Sequence, residues 1–287
     1  MPFEGLRVLS LESRRAKEME ALIRREGGDP FVAPSVQERA LDDRGEALRF
    51  VERLEADEFD MVICMTGTGL AFLRDLIGTR SPVERLGAAL RRTVIVSRGP
   101  KPLPILRELG ARAQIVVPEP NTWKEILEAV AARPERRIAV QEYGRPNLEM
   151  NAALEEMGAS VTPIVVYRWE LPSDVDPLRE AVRRLAERRV DVVLFTSSIQ
   201  LDHLMMVADG MDLKPRVSEA LREYSAIASV GPVMTATLEA AQIPVEIVPV
   251  HPKMGALVKA ASEMAATVLL RKRAVQQAAV TGVTAGG

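Results

Sequence analysis

The sequence predicts an α/β protein of two similar lobes, each a flavodoxin-like, doubly wound parallel sheet, joined by two crossing β-strands with a cleft between the lobes. Three observations carry that expectation. Stretches of the chain repeat at an offset of about 130 residues. Apolar, β-rich runs alternate with longer segments of helical period, the pattern of parallel strands covered by helices on both faces. A length of 287 residues is also enough for two cores, because single cores stop growing near roughly 250–300 residues.

The repeat is carried by three pairs of segments. FDMVICMTGTGLAFL (59 to 73) lies over VDVVLFTSSIQLDHL (190 to 204), matching an acid, an apolar strand, a small polar turn and a helix start. SRGPKPLPILRELGARAQIVVPEP (97 to 120) lies over SVGPVMTATLEAAQIPVEIVPVHP (229 to 252), pairing Gly99-Pro100 with Gly231-Pro232 and Ile115-Val116 with Ile247-Val248. The third pair sets GLRVLSLESRRAKEMEALIRREGG (5 to 28) over ERRIAVQEYGRPNLEMNAALEEMG (135 to 158), bringing Arg7 over Arg137, Glu12 over Glu142, Arg15 over Arg145 and Gly28 over Gly158. Three matches at nearly one offset describe a duplicated unit.

Val8-Leu9-Ser10-Leu11 opens the first repeat as a strand, and a helix with apolar positions Met19, Leu22 and Ile23 follows to Gly28. Residues 30–36 read as extended, their prolines suiting an edge strand or a crossing between lobes. Met61-Val62-Ile63-Cys64-Met65 and Thr93-Val94-Ile95-Val96 are the next strands, the second leading through SRGPKP into a helical stretch, 103–110. The second repeat begins at Ile138-Ala139-Val140, continues into a helix with Met150, Ala153 and Leu154 that ends near Gly158, and has its own extended stretch at 161–169. Val192-Val193-Leu194-Phe195 is its central strand. The extended stretches at 30–36 and 161–169 are the candidate crossing strands between the lobes. The tail 271–287 is expected to be disordered, since it ends in a run without period or caps.

Composition narrows the function. A net charge of −2 with interspersed signs gives no global field for nucleic acid or membrane surfaces. The longest apolar runs fall short of the roughly 20 residues of a membrane span, and the first residues do not form a signal peptide, so a cytoplasmic location is expected. The single cysteine, Cys64, rules out an internal disulfide and reads as a buried strand thiol. His203 and His251 show no metal-ligand spacing, and neither a Walker motif nor G-x-G-x-x-G occurs, so no metal and no cofactor are expected. The protein is expected to act as a monomer on a small molecule.

In parallel α/β sheets ligands bind outside the carboxyl ends of the strands. Here those ends are Glu12-Ser13-Arg14, Thr66-Gly67-Thr68-Gly69, Ser97-Arg98-Gly99, Tyr143-Gly144-Arg145, Ser197-Ser198-Ile199-Gln200 and Val230-Gly231-Pro232. Gly99 between Arg98 and Lys101 at a strand-to-helix junction suits an anion, with amides approaching through the glycine and two cations adding charge. Arg14 and Arg145 hold comparable positions after the first strand of each repeat.

At this point the chain resembles the uroporphyrinogen-III synthase family. The resemblance is carried by Asp191-Val192-Val193-Leu194-Phe195-Thr196-Ser197, by Ser229-Val230-Gly231-Pro232 with Thr235, by His251-Pro252-Lys253-Met254 and by Val166-Tyr167-Arg168. Arg98-Gly99-Pro100-Lys101 and Tyr143-Gly144-Arg145-Pro146 resemble a bacterial branch, and the similarity spans about residues 5 to 268. It implies one lobe built from both chain ends, 1–33 plus 170–270, a second from the middle, 37–162, and an enzyme that cyclises linear hydroxymethylbilane with inversion of the last pyrrole ring and loss of water.

The substrate so implied carries eight carboxylates, and its binding residues would be Ser13, Arg14, Thr66, Thr68, Arg98, Gly99, Lys101, Gly144, Arg145, Ser197, Ser198, Gln200, Gly231, Thr235 and Lys253. Tyr143 and Tyr167 are the candidate donors to the departing hydroxyl. Some family members carry tyrosine four residues beyond the serine matched by Ser198, where this chain has Asp202. Two other readings share the bilobal pattern: a cytoplasmic small-ligand sensor, and a tetrapyrrole-binding protein without turnover.

Overall fold

Strand and helix alternate from β1 (Arg7–Ser10) through α1 (Ala16–Arg25), β2 (Asp29–Val32), β3 (Gln37–Ala40), α2 (Arg44–Glu55), β4 (Met61–Cys64), α3 (Gly67–Gly78), α4 (Val83–Leu90), β5 (Val94–Ser97), α5 (Leu103–Glu108), β6 (Ile115–Val116) and α6 (Trp123–Val130). The second half continues with β7 (Arg137–Gln141), α7 (Leu148–Glu156), β8 (Ser160–Ile164), β9 (Tyr167–Glu170), α8 (Asp176–Ala186), β10 (Val192–Phe195), α9 (Ser198–Asp209), α10 (Lys214–Glu219) with a π-helical turn Ala220–Tyr224, β11 (Ala226–Ser229), α11 (Pro232–Ala240) and α12 (Met254–Thr284). The computed structural model describes residues 2–284 apart from 42, 43, 80, 143 and 145.

Contacts divide the chain into a first unit, Met1–Gln37 with Leu171–Gly287, and a second, Glu38–Glu170. In the first unit the sheet order is β11-β10-β1-β2, all neighbours parallel, and Ile247 adds a parallel bridge to Ala228 beyond β11. In chain order this is the 2-1-3-4-5 arrangement of flavodoxin-like sheets. The second unit has the order β6-β5-β4-β7-β8, also parallel. It is the same arrangement circularly permuted, because β7 and β8 follow β4 to β6 along the chain.

Burial on both faces explains the near-continuous apolar strands. In the first unit Leu9, Val193, Phe195 and Ile227 pack on α8 to α11, while Val8, Val192, Leu194 and Ala228 pack on α1 and α12. In the second, Val62, Cys64, Ile95 and Ala139 face α2 to α5, whereas Met61, Ile63, Val96 and Ile138 face α6 and α7. Cys64 is fully buried, and burial pushes its thiol up to about 12, which makes it a packing residue.

The duplication appears bond for bond. The Arg7 guanidinium donates to Asp191 at 2.8 Å through both Nε and Nη2, and Arg137 pairs with Asp60 in the same way. Ser97 Oγ donates to Gly99 O and Ser229 Oγ to Gly231 O, at 2.7 and 3.0 Å. Each ion pair joins the first strand of one repeat, β1 or β7, to the residue before β10 or β4 of the other, so both units contain strands from both repeats. The Arg137 bonds hold the Asp60 carboxyl down to about 2.

Two boundaries differ from the sequence-based expectation, and an alternative that it left open is decided. Pro30 and Pro163 lie in β2 and β8, the edge strands of their sheets, where a residue without an N–H is tolerated. The pair near the unit boundary is instead β3 with β9, Arg39 meeting Glu170 and the Leu41 N–H donating to Val166 O at 3.2 Å. The expected disordered tail is helical: α12 continues to Thr284, and 285–287 lie outside the described residues.

Candidate functional site

In a doubly wound sheet the crevice for ligands opens where strand order reverses. In the first unit that point lies between β1 and β10. The Glu12 turn follows one strand and Thr196-Ser197 the other, and Thr196 Oγ1 bridges them by donating to Glu12 Oε2 at 2.7 Å. Ser13 Oγ accepts from the N–H groups of Ser35 and Val36 at 3.2 and 3.0 Å, which commits its lone pairs to the chain leaving β2. Buried His203 holds the same segment, its Nδ1 lying 2.6 Å from Ser35 O. Arg14 is exposed.

Gln200 is a buried brace: its Oε1 accepts from Thr196 N and Ser197 N at 2.8 and 3.3 Å, and its Nε2 donates to Thr196 Oγ1 at 2.8 Å. Ser197 and Ser198 thereby open the 12-residue α9, whose first amides have no intrahelical acceptor. Beside them Gly231 precedes α11, and Thr235 Oγ1 donates to Ser229 Oγ at 2.9 Å. A Cβ on Gly231 would lie 3.2 Å from Pro252, which brings exposed Lys253 close to this turn.

The switch point of the second unit lies between β4 and β7. Thr66 caps α3, its Oγ1 accepting from Gly69 N at 3.0 Å, and its N–H donates to Gln141 Oε1 at 3.3 Å. Thr68 is in the first turn of α3. Any Cβ at Gly67 would overlap the Lys101 carbonyl, so the start of α3 abuts the turn that carries Arg98 and Lys101.

That turn differs from the amide cradle its sequence suggested. The Gly99 N–H donates to Ser97 O at 2.7 Å, Pro100, Pro102 and Pro104 have no N–H, and α5 is only six residues long. Glycine is required there for another reason: φ is +91°, and a Cβ would overlap Asn121. The turn carries the cations Arg98 and Lys101, and Gly99's amide is already bonded within it.

Tyr167 is buried in the core of the second unit, stacked on Phe72 at 5.5 Å and edge-on to Trp169. Its hydroxyl lies 3.4 Å from Thr66 Oγ1, a place suited to supporting Thr66 more than to meeting a ligand. Gly144 has φ +62° and lies against the Trp169 indole. Tyr143 and Arg145 lie outside the described residues.

Glu12, Thr196, Gln141 and Trp169, none of them named from the sequence as a binding residue, contact the strand-end residues. The signal for Glu12 was its equivalence with Glu142, but the two environments differ. Glu12 is half-buried, whereas Glu142 is fully buried and accepts from Asn147 N at 3.3 Å and Asn151 Nδ2 at 2.9 Å. Asn151 Oδ1 beside it is buried without a hydrogen-bond partner.

Burial pushes the Glu142 carboxyl above its ordinary 4.5, against the pull of those two hydrogen bonds. The unfolded chain thus ionises first, and each step of pH upward from 4.5 favours unfolding until the folded carboxyl has itself ionised. Glu142→Gln removes this penalty, so its Tm relative to wild type should rise between about pH 4 and about pH 7. An equal difference at both pH values would show that Glu142 carries no such linkage.

A family model described as "Uroporphyrinogen-III synthase HemD" matches residues 17–259. The chain belongs to the uroporphyrinogen-III synthase family. A Bacillus subtilis relative, "Uncharacterized protein YjjA", is 28% identical over 256 residues, covering 88% of this chain and 94% of the relative. A Methanothermobacter thermautotrophicus protein named "Putative uroporphyrinogen-III synthase" is 29% identical over 227 residues, 78% of this chain and 85% of that one.

Among crystal structures, a mutant uroporphyrinogen III synthase of Thermus thermophilus is 23% identical with a TM-score of 0.67, covering 95% of this chain and 100% of that one. The uroporphyrinogen-III synthetase of Helicobacter pylori is 12% identical with a TM-score of 0.55, covering 88% and 97%. These two likenesses are of fold. The α/β architecture with parallel sheets is that of the family, and no described helix is long and apolar enough to cross a membrane.

Proposed function

We propose that the protein is a uroporphyrinogen-III synthase, cyclising hydroxymethylbilane with inversion of the last ring and release of water. The match of the family model over 17–259 carries the reading, and the strand ends supply the chemistry that it needs. Cyclisation starts when the hydroxyl departs from an electron-rich pyrrole. The substituted carbon of the last ring then attacks, and the spiro intermediate reopens and recloses with that ring turned over. Such a reaction needs a polycarboxylate held in one fold more than it needs a strong acid or base, which is catalysis by positioning.

Each unit by itself offers helix starts and cations that suit carboxylates of the substrate. In the second unit the first two amides of α3, behind Thr66, and in the first unit those of α9, behind Ser197, have no intrahelical acceptors and add the positive end of the helix dipole. Thr68 on α3, Ser198 on α9 and Thr235 on α11 offer hydroxyls, and Arg14, Arg98, Lys101 and Lys253 supply charge-assisted bonds. Gln200, Ser13 and Tyr167 act behind this layer by fixing its turns.

The deciding measurement is the product formed from freshly prepared hydroxymethylbilane. Oxidation should reveal porphyrin of isomer III in excess of the uncatalysed reaction. Isomer I alone, at the uncatalysed rate, would refute the proposed activity and favour a protein that binds without turnover.

A further inference from the structure

We infer that Glu12 is the carboxylate that faces the pyrrole from which the hydroxyl departs, accepting its ring N–H and stabilising the cation that forms. The inference rests on the proposed synthase activity and adds a residue that acts on the reacting ring.

Position is the first observation. Glu12 follows β1 at the point where the strand order of the first unit reverses, the place where such sheets bind ligands. The second is how the carboxylate is held. Thr196 Oγ1 donates to Oε2 at 2.7 Å, Arg15 N donates to Oε1 at 3.3 Å, and Ser10 Oγ accepts from the Glu12 N–H at 3.3 Å. Two oxygens with about four acceptor sites therefore receive two donors from the protein.

Among the described residues its charge has no cation of its own: no side-chain nitrogen forms an ion pair with Glu12, and the adjacent Arg15 guanidinium is turned to Glu18. The equivalent Glu142 takes the other course, buried with both oxygens on Asn147 and Asn151. Duplication thus leaves one glutamate inside the fold and one at the surface of a strand-end crevice.

A fixed carboxylate repels the substrate's carboxylates, so the complementary groups are its pyrrole N–H donors. When the hydroxyl leaves, the C–O bond breaks with its electron pair on oxygen, which takes a proton from water and departs as water. The ring nitrogen supplies electrons to the exocyclic carbon, forming an azafulvenium whose N–H carries positive charge. A carboxylate on that N–H gains most of its interaction as the cation develops, which lowers the barrier rather than the dissociation constant. The balance closes when the free α-carbon of the last ring completes the macrocycle and loses its proton. Glu12 itself gains and loses no proton.

The test is steady-state and single-turnover kinetics with hydroxymethylbilane for wild type, Glu12→Gln, Glu12→Asp and, as a control on α12, Glu263→Gln, each with a melting curve. Glu12→Gln should lower kcat about 100-fold while KM stays within about threefold, and isomer I should rise in the product as spontaneous closure competes. Glu12→Asp should retain more activity than Glu12→Gln, and Glu263→Gln should match wild type. A kcat for Glu12→Gln within about threefold of an isomer III-forming wild type overturns the assignment alone. Absence of isomer III with wild type overturns both the assignment and the activity on which it rests. Should Glu12→Gln fail to fold, Glu12→Asp decides: lowered kcat at unchanged KM supports the role, and wild-type kcat overturns it.

Discussion

Gly144→Val is expected to destabilise the protein by about 3 kcal/mol or more, adding roughly 1–2 kcal/mol for a left-handed backbone to a steric term of similar size. Both terms follow from the position. φ is +62°, which a β-branched residue adopts only with strain, and a Cβ would overlap the Trp169 indole. The ring cannot move away cheaply, because it packs beside Tyr167, which is stacked on Phe72 in the core of the second unit. Denaturation of purified Gly144→Val should show a fall in Tm of roughly 10 °C. The double variant Gly144→Val, Trp169→Ala separates the two terms: removing the indole relieves the overlap but leaves the backbone strain. A melting point unchanged in the single variant would show that the turn is free to rearrange. Gly144 lies two residues beyond Glu142, so its displacement would disturb the end of β7, where Gln141 holds Thr66.

Much of this architecture was legible in the sequence because the chain states it twice. Arg7 over Arg137 and the acids before Val192 and Met61 already marked equivalent positions, and the structure turns each pair into one ion-pair motif. Exchange of strands between repeats was legible only through the family resemblance, which implies one lobe from both chain ends. Apolar patterning tells which residues a strand buries but not which strand lies beside it, and both pairings would look alike in a duplicated sequence. The prolines at 30 and 163 were compatible with either an edge or a crossing, and only the pairing with β1 and β7 decides. Gly99 shows a second limit. A glycine signals a special backbone conformation, but its sequence does not say whether a ligand or Asn121 occupies the space. Glu12 and Glu142 show a third, since equal positions acquired different burial through neighbours distant in sequence, Thr196 in one case and the Asn147 turn in the other.

The end of α12 was the largest misreading, and it leads to the second strong expectation. Residues 271–278 carry little apolar periodicity, so pattern alone gave them no reason to dock. They dock through polar groups. The Lys272 side chain is only 13% exposed and its Nζ donates to Arg222 O at 2.9 Å and Ser225 O at 2.7 Å while pairing with Glu246 at 2.8 Å. Four residues on, one turn along the same face, Gln276 Nε2 donates to Glu223 O at 2.6 Å. Together they satisfy carbonyls at the end of the π-helical turn 220–224, which a helix terminus leaves without internal donors. Glu246 in turn accepts from Ile227 N at 2.8 Å, so the lysine also fixes the edge of the first sheet. Lys272→Met keeps the aliphatic stem but strands these acceptors, and should cost about 2–4 kcal/mol. A chain ending at residue 270 should lose at least as much, whereas one ending at 278 retains both side chains and should melt with the full-length protein. Equal melting of the 270-residue chain and the full chain would show that these hydrogen bonds only replace those to water, and would return the end of α12 to the passive role its composition suggested.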